Sequence, residues 1–197
     1  MQVVKHSPLI YEYKNAVDPA TCANLKASLF EAAGQSDTTV SRNSIRNNNA
    51  IPITNVATFR DVDAKINLYF GLVHQHYATR NPIVMTYATQ QGITTQLRST
   101  YSFRFYNVTD SYEWHCDWNP GIWSVLSYVL YLDDQYTGGD LLFSQQRLRI
   151  RPALGSVLAF PADLAHVHKS TKIRSGAKSI VYGNFFKELR QAADIDR

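Results

Sequence analysis

Two short segments of the sequence carry the side chains best suited to hold a metal ion. His115 and Asp117 lie two residues apart in a run that we predict to be a β-strand, and alternate residues of a strand project from the same face. The imidazole and the carboxylate therefore converge, while Cys116 points the other way. His166 and His168 form a second pair about fifty residues farther on. A face of two histidines and one carboxylate with open coordination positions suits non-haem Fe(II), and the residue types alone leave open which histidine of the second pair completes it.

The segments around these residues have the pattern of a β-rich fold. Eight short runs, separated by turn residues such as Asn119-Pro120-Gly121 and Gly138-Gly139, predict antiparallel strands. They cover residues 99–108, 112–117, 122–132, 141–143, 147–151, 156–160, 165–170 and 178–186. Strands of this number and spacing are typical of a barrel or a jelly roll. A short helix over residues 186–193 is predicted to end the chain.

Two amphipathic helices are predicted before these strands. The first begins with the N-cap Asp18 and with Pro19, and it ends at Gly34. The second closes before Asn81-Pro82. Apolar residues recur at three- and four-residue steps in both helices, at Cys22, Leu25, Leu29 and Ala33 in the first and at Phe59, Val62, Ile66, Phe70, Val73 and Tyr77 in the second. Both helices therefore have one face that packs on a core.

We expect a single domain assembled from these parts. A helical N-terminal region over residues 1–83 supports a jelly-roll core over residues 84–186, and residues 187–197 form a C-terminal tail or helix. The predicted fold is mainly β with N-terminal helices, a jelly-roll barrel buttressed by those helices. The polar stretch 35–49 and the stretch 84–97 are predicted to be loops, and the first is a candidate substrate lid.

The composition excludes several classes of protein. Hydrophobic residues make up 45% and charged residues 18% of the 197 residues, which is typical of a globular protein and not of a disordered or low-complexity one. The net charge of +4 is small for a dedicated nucleic-acid-binding protein. Two cysteines are too few for a disulfide framework, and no apolar stretch is long enough to span a bilayer. We expect a soluble, cytoplasmic protein without a membrane partner.

Several motifs in residues 98–186 match one known family. Tyr106, Tyr112, His115 and Asp117 reproduce a Tyr-x8-His-x-Asp strand with a second aromatic residue three positions before the histidine. Three further motifs are matched by Tyr131-Leu132 with Gly138-Gly139-Asp140 and Phe143, by Gly155 with Phe160-Pro161, and by His168 with Gly176 and Lys178. Together these motifs resemble the Fe(II)- and 2-oxoglutarate-dependent dioxygenases, in particular their prolyl 4-hydroxylase-like branch. The resemblance implies a double-stranded β-helix, the jelly roll of that family. The family pattern has a glycine where this chain has Thr109 and a glutamate where it has Asp140.

The resemblance implies that His115, Asp117 and a distal histidine bind Fe(II). We favour His168, because the distal ligand and Lys178 must face one pocket at a fixed separation, and the offset between them matches the family spacing. Counting forward from the phenylalanine-proline motif points instead to His166, which stays the alternative distal ligand.

Four further side chains have roles implied by the resemblance. Lys178 pairs with the distal carboxylate of 2-oxoglutarate, and the Tyr106 hydroxyl is a second hydrogen-bond donor, since a buried anion requires such partners. Tyr112 and Trp123 lie beside the substrate. For Tyr112 and the tryptophans of this region, Trp114, Trp118 and Trp123, packing in a core or at its rim is the alternative interpretation.

The resemblance also implies the reaction. The enzyme would use Fe(II), O2 and 2-oxoglutarate, with ascorbate as an additional cofactor, to hydroxylate a C–H bond and release succinate and CO2. The preferred substrate is a prolyl residue of a peptide or protein, and a free amino acid or small metabolite is the alternative on the same scaffold. A nucleic acid is disfavoured, because the paired arginines of nucleic-acid demethylases are represented only by Arg174.

Two functions from other classes remain as alternatives. One is a non-catalytic jelly-roll binding module, against which the presence of all three ligands and the lysine counts. The other is a zinc hydrolase that uses the same ligands, although the sequence has no glutamate at metalloprotease spacing.

Three arginines form a separate feature of the predicted strand 147–151. Arg147, Arg149 and Arg151 alternate with apolar residues, so we expect their guanidinium groups on one strand face. A solvated outer face is the favoured interpretation, and a docking stripe for an acidic protein or nucleic acid is the alternative.

Overall fold

The computed structural model describes residues 1–35, 45–53, 59–90, 101–118 and 122–188 of the chain. The strands in these ranges are β1 (Gln2–Ser7), β2 (Ile10–Lys14), β3 (Arg46–Asn47), β4 (Asn49–Pro52), β5 (Ser102–Tyr106), β6 (Ser111–His115), β7 (Ile122–Tyr131), β8 (Tyr136–Gly138), β9 (Leu141–Phe143), β10 (Leu148–Ile150), β11 (Val157–Pro161), β12 (His168–Ser170), β13 (Ile173–Gly176) and β14 (Lys178–Glu188). The helices are α1 (Pro19–Gln35), α2 (Arg60–Arg80) and α3 (Pro82–Gln90), and a short 3-10 helix covers Leu164–His166.

The strands form two main sheets with a hydrophobic core between them. The larger sheet has the order β1-β2-β11-β7-β14-β5-β4, and the smaller has the order β10-β9-β12-β6-β3. Strands β8 and β13 form a separate ribbon, and every strand pairing among the described residues is antiparallel. Side chains from both sheets pack in the core, among them Leu158 and Phe160 of β11 and Phe143 of β9. The predicted jelly roll is therefore confirmed.

The alternation of side chains along the central strands explains how the larger sheet is covered on both faces. On β7, Tyr128 and Leu130 pack with the helices, while Val129 and Tyr131 pack in the core between the sheets. A strand that is buried on both faces has a nearly continuous apolar sequence, and β7 follows this pattern apart from Ser124 and Ser127. The residues of β7, β5 and β14 that face inward are therefore the ones available to a site between the sheets.

Helices α1 and α2 buttress the outer face of the larger sheet, as predicted. Asp18 caps α1, since its carboxylate accepts a hydrogen bond from the backbone N–H of Thr21 at 2.9 Å. The apolar stripe of α2 is buried, and His74 on that face is hydrogen-bonded to the Tyr128 hydroxyl at 2.7 Å. None of the helices in the described ranges is both long and apolar enough to cross a bilayer.

The structure corrects three predictions about the N-terminal half. The first elements of the chain are the strands of the β1–β2 hairpin and not a helix. The charged residue Glu12 made β2 hard to recognise in the sequence, because it is buried in the strand with His6 and Ser156 as partners, each at 2.9 Å. Part of the stretch predicted as loop 35–49 forms β3 and the start of β4, while residues 36–44 of the candidate lid lie outside the described residues. Much of the predicted loop 84–97 belongs to α3, which begins directly at Pro82, a residue well suited to a first helical position.

Two further differences concern the last third of the chain. Residues 186–188, predicted to begin a helix, continue β14 because they pair with residues 122–124 of β7. Residues 189–193 of that predicted helix lie outside the described residues. The predicted strand 165–170 is divided: Asp163 caps the 3-10 helix, and the strand itself begins at His168.

Gly155 fixes the start of α1 against the larger sheet, and its substitution gives a stability prediction. The backbone N–H of Val17 donates a hydrogen bond to the carbonyl of Gly155. The φ of Gly155 is +72°, and a Cβ added to it would lie 2.0 Å from the carbonyl oxygen of Val17. We expect Gly155→Ala to lower the free energy of unfolding by about 2 kcal/mol or more, measured by urea denaturation. Gly34→Ala in α1 is the matched control, because its added Cβ meets no atom within 4 Å and alanine favours the helix. Equal effects of the two substitutions would contradict this account.

Candidate active site

The structure brings His115, Asp117 and His168 together between the two sheets. His115 ends β6 and His168 begins β12, and the two residues are direct partners in the β6–β12 register. The Nε2 atoms of His115 and His168 each lie 3.7 Å from an oxygen of Asp117. Asp117 follows the end of β6 and is not within the strand as predicted, yet its carboxylate still converges with the imidazoles.

Hydrogen bonds orient each member of this cluster. The Nδ1 atom of His115 lies 2.6 Å from the carbonyl of Glu113, and that of His168 lies 2.9 Å from the carbonyl of His166. Because a carbonyl oxygen only accepts, Nδ1 carries a proton in both rings, and Nε2 is the ring nitrogen that faces Asp117. Ser127 donates a hydrogen bond of 2.6 Å to the other side of the cluster, at Asp117 Oδ2. Such outer hydrogen bonds set the tautomer and direction of metal-binding histidines.

The protonation states of the cluster suit a cation. Burial, with the neighbouring His168 as a smaller cause, lowers the pKa of His115 to about 4, so its ring is neutral at pH 7. Burial alone would raise the pKa of Asp117, but His168, His115, the Ser127 hydrogen bond and Arg104 together hold it below its usual value. The site therefore offers the neutral imidazole of His115 beside the ionised carboxylate of Asp117.

This donor set fits Fe(II). The side chains of His115, Asp117 and His168 are 8%, 4% and 5% exposed, and one ligand atom from each lies within 4.8 Å of the others. Two imidazoles and one carboxylate on one side of an ion leave positions open for a co-substrate and oxygen. Within the described ranges this is the one group of three or more histidine, cysteine or acidic side chains placed in this way.

His166, the alternative distal ligand, lies outside this cluster. It belongs to the 3-10 helix, and its Nδ1 atom lies 2.7 Å from a carboxylate oxygen of Asp163. Its backbone carbonyl is the group that accepts the hydrogen bond from His168. The geometry therefore favours His168 as the distal ligand, and the backbone carbonyl of His166 orients the His168 ring.

Lys178 lines the same cavity as the cluster. The side chain is 1% exposed, and its Nζ atom donates to the carbonyl of Gly139 at 2.9 Å and to Ser170 Oγ at 2.8 Å. Among the described residues, no carboxylate lies within ion-pair distance of this ammonium group. Burial lowers the pKa of Lys178 to about 7, since nearby Asp140 offsets only part of the cost of desolvation. A buried cation without an anion is a binding group for an anionic ligand.

Glycine at position 139 permits this placement of the lysine. Its φ is +67°, and an added Cβ would lie 2.5 Å from Ile173 Cδ1 and 3.3 Å from Lys178 Cδ. The glycine pair noted in the sequence therefore forms one wall of the lysine pocket.

Two of the four tyrosines that line the cavity, Tyr106 and Tyr112, were candidate site residues in the sequence. The Tyr106 ring centroid lies 4.8 Å from Lys178 Nζ, and burial raises the pKa of its phenol to about 12, so the hydroxyl remains protonated. The Tyr112 ring stacks on His115, with centroids 3.6 Å apart and planes at 14°. Tyr112 therefore supports a metal-site histidine as well as lining the cavity. The side chain of Trp123 lies outside the described residues.

Comparisons with known proteins agree with this geometry. Residues 101–186 match the family model described as the 2OG-Fe(II) oxygenase superfamily. These residues hold the whole metal cluster, Lys178 and both tyrosines. This match assigns residues 101–186 of the chain to the 2OG-Fe(II) oxygenase superfamily. Fe(II) and 2-oxoglutarate are therefore the cofactors of this oxygenase.

Solved structures of prolyl hydroxylases share the fold of this oxygenase. The viral collagen prolyl hydroxylase of Paramecium bursaria Chlorella virus-1, in its 2-oxoglutarate complex, is 14% identical with a TM-score of 0.64, over 89% of this chain and 94% of that one. A Pseudomonas putida prolyl-4-hydroxylase is 15% identical with a TM-score of 0.66, over 92% and 94%. A Trichoplax adhaerens prolyl hydroxylase, in complex with a hypoxia-inducible-factor peptide fragment, is 12% identical with a TM-score of 0.67, over 90% and 83%. No curated protein sequence matches the chain significantly.

The oxygenase site contains polar residues that sequence reasoning did not find. Ser127 orients Asp117, Ser170 accepts from Lys178, and Arg104 lines the cavity from β5. Strand alternation gave a signal for Arg104, which lies two residues before Tyr106 and therefore shares its face. Ser127 and Ser170 had no such signal, because a buried serine is recognised only by its partner.

The structure also corrects the interpretation of the arginine stripe. Arg149 and Arg151 pair with the buried Asp140, and Arg151 also donates to the carbonyl of Tyr136. Arg147 lies in the preceding turn with a φ of +50° and does not belong to the strand. Arg149 and Arg151 are 69% and 45% exposed, in agreement with the favoured solvated face, but they are paired with Asp140 and Arg147 is not on the strand, so the three guanidinium groups do not form one stripe.

Two of the tryptophans in this region are not core residues. Trp114 and Trp118 are both exposed, and Lys169 Nζ lies 4.9 Å from the Trp114 ring centroid. Trp114 directly precedes the inward-facing His115 on β6, so its ring lies on the solvent side of the smaller sheet.

Proposed function

We propose that the protein hydroxylates a prolyl residue of a peptide or protein. The observation that carries this proposal is the similarity of its fold to three prolyl hydroxylases over about nine-tenths of the chain, one of them in complex with a peptide fragment. The aromatic ring of Tyr112 beside the metal cluster supports it, because a flat aromatic surface suits the packing of a proline ring.

In this proposal His115, Asp117 and His168 bind Fe(II). The two Nε2 atoms and one carboxylate oxygen supply the ligands, while the backbone carbonyls behind the rings and Ser127 hold them in place. When bound, Fe(II) with 2-oxoglutarate and O2 supplies the oxidising chemistry, which converts 2-oxoglutarate to succinate and CO2 and hydroxylates a C–H bond.

Lys178 and Tyr106 bind the distal carboxylate of 2-oxoglutarate. The ammonium group lies deep in the cavity with two neutral hydrogen-bond acceptors, so an incoming carboxylate provides its first full negative charge. The protonated Tyr106 hydroxyl is an additional donor. Apolar neighbours, including Val129, Leu141 and Ile180, exclude water and strengthen this ion pair.

Anaerobically loaded enzyme tests the proposed reaction when it is exposed to air with proline-containing peptides. The expected result is the gain of one oxygen atom on a prolyl residue, detected by mass spectrometry, together with one succinate per hydroxylated residue. Peptides with alanine in place of proline serve as the control. Succinate release with no oxygen in any peptide, or hydroxylation of free amino acids alone, would contradict the proposal.

The buried lysine predicts a pH dependence of 2-oxoglutarate binding. With a pKa of about 7 in the free enzyme, Lys178 is charged below pH 7 and must take up a proton to pair with a carboxylate above it. The affinity for 2-oxoglutarate should therefore fall as the pH rises above about 7, by up to about tenfold per pH unit. The dissociation constant, measured anaerobically across this range, checks the prediction. Lys178→Arg should remove the dependence, and a wild-type affinity that rises with pH would contradict it.

A further inference from the structure

Arg104 is a second buried cation of the cavity, and nothing in the reaction described so far uses it. It lies on β5, is 8% exposed, and faces the same cavity as the metal cluster and Lys178. The neighbouring residues Phe103 and Phe105 point to the opposite side, where they pack with the helices. The direction of Arg104 is therefore set by the strand.

The guanidinium group of Arg104 has aromatic neighbours but no acidic partner. Its Nε atom donates to Ser102 Oγ at 3.1 Å, and its Cζ atom lies 3.8 Å from the Tyr182 ring centroid and 5.6 Å from that of Tyr112. Among the residues that the structure describes, no carboxylate lies within 4.0 Å of it. Asp117 interacts with this guanidinium group electrostatically, from beyond ion-pair distance.

The position of Arg104 separates it from the 2-oxoglutarate carboxylate site. Across the β5–β14 pairing, Tyr106 is the partner of Lys178 and Arg104 is the partner of Ile180. Arg104 therefore lies one step, about 7 Å, along the strand from the level of Lys178. This step leads towards Tyr112, the residue that stacks on the metal-site His115.

The charges of the loaded site leave Arg104 unbalanced. Fe(II) and Lys178 together carry three positive charges, and Asp117 with the 2-oxoglutarate dianion carries three negative charges. Arg104 adds one buried positive charge with no counterpart. A guanidinium group in a cavity is stable when it meets a carboxylate, which it can bind through two parallel hydrogen bonds.

We propose that Arg104 is a specificity-determining residue that binds a carboxylate of the substrate, next to the carbon that is hydroxylated. The inference rests on the proposed prolyl hydroxylation. The carboxylate has two possible sources, the α-carboxylate of a C-terminal proline or the side chain of an acidic residue that neighbours the proline.

Binding of matched peptides tests this inference. N-acetyl-Gly-Pro is compared with its C-terminal amide, and N-acetyl-Gly-Pro-Asp-amide with its asparagine counterpart, by equilibrium binding to the anaerobic enzyme loaded with Fe(II) and 2-oxoglutarate. In at least one pair the carboxylate form should bind about ten- to a hundredfold more tightly, the usual range for a hydrogen-bonded charged pair. The pair that shows the preference identifies the source of the carboxylate.

Variants of Arg104 assign the preference to this residue. Arg104→Gln should remove it, and Arg104→Lys should retain part of it as a point charge. Lys172→Gln, which removes an exposed cation, should leave the preference unchanged. The 2-oxoglutarate affinity of Arg104→Gln should stay within about threefold of the wild type, since Lys178 binds that ligand.

Three outcomes would overturn the inference. The first is that the carboxylate and amide peptides bind equally well, or that neither binds. The second is a preference for the carboxylate form that persists in Arg104→Gln. The third is a large loss of 2-oxoglutarate affinity in that variant. The peptide oxygenation assay distinguishes these outcomes from failure of the proposed function. If only the inference about Arg104 is wrong, the enzyme still hydroxylates prolyl peptides but shows no preference for a carboxylate; if the proposed function is wrong, no prolyl peptide is hydroxylated.

Discussion

His168→Ala will lower the Fe(II) affinity by about a hundredfold or more and abolish turnover. Loss of a residue that only supports a ligand costs ten- to a hundredfold in metal affinity, and His168 presents its own Nε2 atom to the cluster. Because the remaining His115 and Asp117 are held by their own hydrogen bonds, the loss reflects the missing ligand and not a collapse of the site. The measurement is a competition between the protein and a chelator for Fe(II) under anaerobic conditions.

His166→Ala is the matched control for this experiment. The His166 side chain bonds to Asp163, and only its backbone carbonyl, which alanine retains, contacts His168. We expect its Fe(II) affinity to stay within about threefold of the wild type. The reverse pattern, with tight binding by His168→Ala and weak binding by His166→Ala, would show that the distal ligand is His166.

Lys178→Met will weaken 2-oxoglutarate binding by about a hundredfold or more while leaving Fe(II) binding unchanged. Truncating one partner of a buried, hydrogen-bonded charge pair costs several kcal/mol, because the other charge remains buried without its counterpart. The ammonium group lies across the cavity from the metal cluster and contacts none of its three side chains, so the two ligands are affected separately. Anaerobic titration of each ligand gives the two affinities.

Thermal stability separates this effect from misfolding. A buried lysine whose pKa is depressed lowers the stability of the ligand-free protein, and it does so most fully below about pH 7, where the folded state must hold the charge. Methionine fills similar space without a charge, so the melting temperature of ligand-free Lys178→Met should not fall. 2-Oxoglutarate should then raise the melting temperature of the wild type and leave that of the variant unchanged. A lower melting temperature together with equal losses of both affinities would indicate simple misfolding.

Only part of the metal cluster was predictable from local sequence. The two-residue spacing of His115 and Asp117 is local, whereas His168 meets them through the long-range pairing of β6 and β12 and was chosen by its offset to Lys178 in the family pattern. Helices α1 and α2 were predictable because the Asp18 cap of α1 and the apolar stripes of both helices are local patterns, whereas α3 was missed.

Features that depend on distant partners were not visible in the sequence. The burial of Glu12 in β2 requires Ser156, which lies 144 residues away, and so the N-terminal hairpin was missed. The pocket of Lys178 requires Gly139 and Ser170, and its depth follows from the strand pairing. Residues 186–188 have a local helical pattern, but they continue β14 because they pair with β7.

The central claim is that one cavity holds both Fe(II), on His115, Asp117 and His168, and 2-oxoglutarate, on Lys178. The most direct test is an anaerobic optical titration of the metal-stripped protein with Fe(II) and then with 2-oxoglutarate. We predict a weak visible charge-transfer band when both ligands are present in the wild type, and no band in Lys178→Met at the same concentrations. Fe(II) binding without a band in the wild type would contradict the claim.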